Sequence, residues 1–442
     1  MTAVENRRSL VRSPAHETVL EALLAGIEAS DPAEVIDSTV AVNGAQFTVD
    51  GETYDLSAYE EVLVLGGGNA ASQVARALEG KLGAHLDGGI VVTDDPVETE
   101  RVTVLPGDHP VPSERGVEST RQLLDLAREA DADTLVLGVI TGGGSALMAA
   151  PAPGIELAEL IETTDQLLRS GAPIRDINAV RKHLSALKGG QLAALAAPAT
   201  TVSLVLSDVV GNHLDVIASG PLVPDPTTFA DARAVIDRFE LSLPDSVENR
   251  IESGAAGDLE ETPKPGDTVF ERVRTHVIAD GMTALEAAAA VLEADGYEPL
   301  VLSSRVEGEA SESAKTHAAI ANEIRATGTP IEPPAAILSG GETTVTVDGV
   351  GSGGPNQEFA LSAGLSIEGS TIVGAVDSDG IDGASDAAGA LVDASAIDRI
   401  EAQAALDAND SGAYLTERDR VIVTGQTGTN VNDIRVLLVQ DE

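Results

Sequence analysis

Residues 62–72, VLVLGGGNAAS, run four aliphatic residues directly into three glycines and then into a small-residue stretch. A short apolar run closed by glycine and followed by helix formers reads as strand, tight turn and helix. Residues 134–148, TLVLGVITGGGSALM, repeat that arrangement. Further β-branched runs at Ile90–Thr93 and Thr201–Leu206 alternate with alanine-rich helical runs. This alternation is the βαβ signature of a layered α/β fold with parallel strands. At 442 residues the chain exceeds one ordinary hydrophobic core, so two domains are expected. The Pro-, Gly- and acid-rich stretch 243–267 is the expected linker region.

In parallel α/β sheets ligands bind beyond the carboxyl ends of the strands, which makes the loops after the strands the candidate site. Gly66, Gly67 and Gly68 before a helix starting near Asn69 would leave backbone N–H groups open to an anion. Gly66, Gly68 and Ala71 also fit G-x-G-x-x-A, and Asp94 or Asp95 ends the next strand where a ribose-binding acid would stand. That spacing keeps a nicotinamide enzyme in view. Gly142, Gly143 and Gly144 form the second loop, with Ser145 as a donor in the first turn of its helix. No Gly-Lys-Ser/Thr follows, which excludes a Walker A loop.

The stretch INAVRKHLSALKGGQ (177–191) gathers Arg181, Lys182, His183 and Lys188 in a chain of net charge -45. Read as one helix, it places Asn178, Arg181, Ser185 and Lys188 on a single polar stripe, opposite Val180, Leu184 and Leu187. Such a stripe suits an anion, although a solvated basic face paired with nearby acids has the same pattern. Asp208, at the end of the run LVLS, is placed to hold Mg²⁺ or to take a proton from a hydroxyl. Asp377, Asp379 and Asp382 resemble a calcium loop, but glycine falls at the fourth position and Ala388 stands where a bidentate glutamate belongs. A Mg²⁺ or phosphate loop remains the reading there. The seven histidines show no zinc spacing.

Composition narrows the partners. With 72 acidic against 27 basic residues and 2% aromatics, the chain repels phosphate backbones and anionic membranes and offers few stacking platforms. The expectation is therefore no nucleic acid and no membrane. Only five basic residues are lysine, a balance that fits a high-salt cytoplasm where surface carboxylates are screened. The absence of cysteine removes disulfides and thiolate metal sites. No apolar span or signal-peptide core is apparent, so a soluble, cytoplasmic protein is expected.

Taken in order, GDHPVPSE (107–114), VITGGGSALMAAP (139–151), INAVRKHLSALKGG (177–190), LSDVVGNHLDVIASGPLVPDPTTF (206–229), SGGETTVTV (339–347), GGPNQEFAL (353–361), DSDGIDGASDAAGALVD (377–393) and TGQTGTNVNDIRVLLV (424–439) resemble the glycerate 2-kinase family with a carboxy-terminal MOFRL domain. The resemblance spans nearly the whole chain. It implies a Rossmann-like three-layer domain with a mostly parallel sheet over residues 1–255. A smaller α/β MOFRL domain with a mixed sheet would cover 256–442, with the active site in the cleft between them. It further implies ATP-dependent, Mg²⁺-assisted phosphorylation of D-glycerate at the 2-hydroxyl.

On this footing Lys182, Asp208 and Arg181 are the catalytic candidates. Gly66, Gly67, Gly68, Asn69, Gly142, Gly143, Gly144, Ser145, Lys188, Asn356 and Gln357 are the candidates for binding substrate and phosphate. Asp208, Asp377 and Asp379 are the metal candidates. The partners are D-glycerate and a nucleotide, with a homo-oligomer left open. Two positions depart from the family pattern: Asn69 stands where its members carry lysine, and Pro355 where they carry arginine. Losing one charge-assisted contact to the transferring group would cost roughly 3 kcal/mol unless another cation substitutes, and Lys182, Arg181 and Lys188 are the candidates. The alternatives are a hydroxypyruvate reductase, on the Gly66 fingerprint, and a non-catalytic binding or regulatory paralogue, on Asn69 and Pro355.

Overall fold

The computed structural model describes residues 2–441. They form two compact units, a central one over Val35–Ile278 and a terminal one that joins the first 34 residues to Ala279–Glu442.

The central unit opens with an antiparallel meander of β1 (Val40–Asn43), β2 (Gln46–Val49) and β3 (Glu52–Asp55). Its main sheet contains β4 (Glu61–Gly67), β5 (Gly88–Thr93), β6 (Val102–Pro106), β7 (Thr134–Ile140), β8 (Thr200–Leu206) and β9 (Val273–Ala279), in the order β6-β5-β4-β7-β8-β9. The pairings β5–β6, β4–β5, β4–β7 and β7–β8 are all parallel. β7 is buried along its whole length, as a strand covered on both faces must be. The strand order reverses between β4 and β7, where Gly67 pairs with Ile140. Both glycine loops therefore leave the sheet at its topological switch point, the usual ligand crevice of such sheets.

Beside the sheet stands a helical lobe of Leu157–Arg169, Ile174–His183, Phe229–Arg238 and Asp245–Ala255, closed over Leu167, Val180, Leu184, Phe229 and Val247. Here the expected linker at 243–267 is corrected: Val247 and Ile251 are core residues of this lobe. Asp245, Glu248 and Glu252 lie on the exposed face of that helix, and Glu261 beyond it accepts the Phe229 N–H at 3.1 Å.

The terminal unit holds a six-stranded sheet of mixed orientation: β10 (Glu298–Glu309), β11 (Ala335–Thr344), β12 (Thr371–Asp377), β13 (Gly389–Asp393), β14 (Val421–Ile422) and β15 (Asp433–Val439), ordered β10-β11-β15-β12-β13-β14. β10 and β11 are parallel, and the other neighbours antiparallel. Ala310–Thr327 and Pro355–Ser366 close one hydrophobic core with the sheet, and Pro14–Ala29 and Gly281–Ala294 close another.

The domain boundary expected at 255/256 is thus displaced, and the unit that closes the chain also opens it. Ser13 caps the helix Pro14–Ala29, with Pro14 at its first position. Its residues Leu20, Leu23 and Ile27 are buried with Ala284, Leu285 and Ile434. A Cβ on Gly26 would stand 2.9 Å from the Ala284 carbonyl, so glycine lets the two helices touch. Thr18 donates to Asp295 at 2.7 Å, and His16 Nε2 meets Asp393 at 2.9 Å.

Candidate active site

The two glycine loops are laced together. Gly68 N–H donates to Val92 O at 3.0 Å, Asn69 N–H to Gly142 O at 2.9 Å, and Ala70 N–H to Thr141 Oγ1 at 3.3 Å. The first loop therefore does not offer these N–H groups to an anion, which corrects that expectation and weakens the dinucleotide fingerprint. Its glycines serve close approach, since a Cβ on Gly66 would collide with Val139 O and one on Gly68 with Thr141. Asp95, the ribose-binding candidate, already accepts Gln73 Nε2 at 2.6 Å. In the second loop, by contrast, the N–H groups of Gly143, Gly144 and Ser145 meet no acceptor among the described residues.

Asp208, just beyond β8, joins the second loop: a Cβ on Gly142 would strike its carboxylate, and one on Gly143 would strike Asn69 Oδ1 with His109 alongside. Burial pushes the Asp208 carboxyl above its ordinary value, partly offset by the nearby His109. Asn69 is exposed at the rim of the loop, and its carbonyl accepts Thr93 Oγ1 at 3.0 Å.

The basic stretch is only partly helical. The helix ends at His183, and Ser185 turns inward to accept the N–H groups of Leu187 at 3.1 Å and Lys188 at 3.2 Å. The expected single stripe is corrected to a helix followed by a turn. Arg181 and Lys188 still come within electrostatic reach of each other. Arg181 is half-buried and has no carboxylate partner among the described residues. Lys188 is 5% exposed, and its Nζ donates to Met148 O at 3.0 Å, the carbonyl that closes the second glycine loop's short helix. Burial first, then Arg181, pushes the Lys188 amine down to about 7. Neither Arg181 nor Lys188 has a carboxylate partner among the described residues, an arrangement that suits an anionic ligand.

Lys182 has a different task. It is 1% exposed, and its Nζ lies 3.3 Å from Asp225 and 3.5 Å from Asp215. Asp225 also accepts Thr227 N–H at 2.9 Å, Thr227 Oγ1 at 2.7 Å and Thr262 Oγ1 at 2.9 Å. Burial alone would raise its carboxyl, but Lys182 and these hydrogen bonds outweigh that and hold it below its ordinary value. Lys182, expected as a catalytic cation, is thus paired with buried Asp225.

Sequence reasoning missed Ser219. Its hydroxyl meets Ser145 Oγ at 2.8 Å and donates to Asn178 Oδ1 at 3.3 Å, while Asn178 Nδ2 is buried without a partner. Only the proximity of Ser219 to a glycine in IASGP could have signalled it.

In the terminal unit, Asp382 caps the helix Pro355–Ser366. Its carboxylate accepts Asn356 N–H at 2.9 Å and Gln357 N–H at 2.8 Å, and also the Gln357 side-chain amide at 3.0 Å. Asn356 Nδ2 donates to Asp433 at 2.6 Å, and Asp433 is paired with the fully buried Arg435. Asn356 and Gln357 thus anchor an internal acid network through their amide N–H groups, while Asn356 Oδ1 and Gln357 Oε1 are buried without a partner. Pro355 takes the first helical position, where a missing N–H is harmless. Asp377 and Asp379 stay adjacent at the end of β12, Asp379 N–H donating to Asp377 Oδ1 at 3.1 Å. Burial first holds both carboxyls above their ordinary value, with repulsion from Asp379 and Asp433 adding at Asp377 and from Asp433 at Asp379. No group of three or more metal-binding side chains occurs among the described residues, so these acids form at most a two-carboxylate set.

Known proteins share the architecture. The model of a domain of unknown function, DUF4147, matches residues 18–252, and that of the MOFRL family matches 335–433. The chain is 38% identical to the glycerate 2-kinase of Pyrococcus horikoshii, over 93% of this chain and 94% of that one. It belongs to the glycerate 2-kinase family. The crystal structure of a glycerate kinase from Thermotoga maritima matches with a TM-score of 0.84 and 35% identity, covering 96% of this chain and 99% of that one. A protein of Agrobacterium vitis named putative hydroxypyruvate reductase is 41% identical over 85% of this chain and 87% of its own.

Proposed function

We propose that this protein transfers the γ-phosphoryl group of ATP to the 2-hydroxyl of D-glycerate. The observation that carries the reading is the unpaired Arg181–Lys188 pair beside the second glycine loop, in a chain of this kinase family. Phosphoryl transfer needs positioning and charge stabilisation more than covalent chemistry, and buried cations facing anionic reactants supply both. Asp208, whose carboxylate no other side chain hydrogen-bonds among the described residues, serves as base. As its carboxylate takes the 2-hydroxyl proton, the freed oxygen bonds to the γ-phosphorus and the bond to the β-phosphate bridging oxygen breaks. The products are 2-phosphoglycerate and ADP.

Mg²⁺ is usually held by one or two carboxylates, with nucleotide phosphates and water completing its shell. The Asp377–Asp379 pair fits that donor chemistry, and its raised carboxyls are those a divalent cation would relieve. A divalent cation held there would supply neutralisation of charge on a bound phosphate. The reductase reading has little support, because the N–H groups of its glycine fingerprint are engaged within the protein. ATP chemistry fits a cytoplasmic setting, and no helix among the described residues is long and apolar enough to cross a membrane.

The test is incubation of the purified protein with D-glycerate and Mg-ATP in high salt, followed by phosphorus NMR. Formation of 2-phosphoglycerate with ADP is expected. Oxidation of NADH by hydroxypyruvate without ADP formation would replace the proposal.

A further inference from the structure

Which substrate the Arg181–Lys188 region receives can be argued from the hydrogen bonds around it. Asn178 is 2% exposed and Ser219 0% exposed, so their polar atoms have little access to water. The Ser219 hydroxyl donates to Asn178 Oδ1, which leaves its own oxygen to accept the Ser145 hydroxyl at 2.8 Å. Ser145 thereby spends its proton and keeps lone pairs for an incoming O–H. Asn178 Nδ2, buried and unpartnered, remains a donor. One cluster thus offers an N–H donor, two cations and a hydroxyl acceptor.

The backbone confirms that this cluster is built with care. Ala218, Ser219 and Gly220 all take left-handed conformations, with φ of 50°, 60° and 64°. Such conformations are strained in non-glycine residues and persist where the surroundings impose them. Gly189 N–H holds Ser219 O at 3.0 Å, and Gly190 N–H holds Gly220 O at 2.7 Å, tying the strained turn to the segment that carries Lys188.

We propose that this cluster is the hydroxy-acid subsite: the carboxylate is received by Asn178 Nδ2, Arg181 and Lys188, and the non-reacting hydroxyl donates to Ser145 Oγ. A carboxylate matches two enclosed cations and a single amide donor. A triphosphate carries more charge than two cations offset and, being larger, needs more open donors. Ser219 and Asn178 Oδ1 act through Ser145 and are positioning groups. The inference rests on the kinase reading for its choice of substrate.

Calorimetric binding of D-glycerate and, separately, of ATP tests it without turnover. Arg181→Gln and Ser219→Ala are expected to weaken D-glycerate binding at least tenfold and leave ATP affinity within twofold. Arg181 is half-buried, so its variant should fold, and circular dichroism checks both. Ser145→Ala should bind D-lactate, which lacks the 3-hydroxyl, as well as wild type does, while losing its preference for D-glycerate. Weakened ATP binding with intact glycerate binding overturns the assignment, as does unchanged affinity for both. Glycerate binding that follows the expected pattern in a protein without kinase turnover would sink the proposed function and leave the subsite standing.

Discussion

Arg181 lies close enough to Lys188 to help push its amine down, and neither has a carboxylate partner among the described residues. In a protein of net charge -45, where acids are abundant, that isolation is a property of the site. It has measurable consequences for stability and for pH.

Lys188→Met should abolish most activity and stabilise the fold. The Lys188 amine lies at about 7 in the folded protein against an ordinary 10.5. Below about pH 7 both folded and unfolded chains hold the proton and the burial penalty is complete; between about 7 and 10.5 only the unfolded chain holds it, so stability rises with pH. The variant should therefore gain on the order of 1–3 kcal/mol at pH 7 by denaturant unfolding, the loss of the Met148 hydrogen bond offsetting part of the gain. In the active enzyme, kcat/KM for glycerate should fall as pH rises above about 7, the region where free Lys188 loses its charge.

Asp208→Asn should lower kcat by about 10²–10⁴-fold while KM changes little, as expected for loss of a general base. The wild-type acid limb should lie above the ordinary carboxylate value, because burial raises Asp208, and the variant should lose that limb. Steady-state kinetics across pH check both.

Lys182→Ala leaves Asp225 buried without its cation, which should destabilise the protein by about 3–5 kcal/mol. The double variant Lys182→Met with Asp225→Asn should regain much of that loss and retain substrate binding. Retained stability in Lys182→Ala with lost turnover would instead return Lys182 to catalysis.

The charge imbalance should make folding depend on molar salt, since unscreened surface carboxylates repel one another. Circular dichroism should show loss of structure on dilution into low-salt buffer and recovery when potassium chloride is restored.

Local pattern was enough to read the α/β class, the parallel strands carrying VLVLGGG and TLVLGVITGGG, and the gathering of scarce cations at 177–191. Strand and helix periodicity, glycine punctuation and charge are short-range properties, so they survive in a linear sequence. The pairing of Lys182 was not legible because a helix displays neighbouring basic residues alike, while Asp225, 43 positions away, arrives only through tertiary packing. Asn356 and Gln357 were drawn inward by Asp382 and Asp433 for the same reason.

Sequence by itself therefore determined what kinds of elements form, which family the chain resembles and where its positive charge is concentrated. Tertiary structure decided which of those charges are free. It paired Lys182 with Asp225, left Arg181 and Lys188 without a carboxylate among the described residues, and placed the helix Pro14–Ala29 in the terminal unit against Ala284 and Ile434. The physical reason is that the cost of a buried charge or an uncovered apolar face depends on what stands within a few ångströms of it, and those neighbours are distant in the chain.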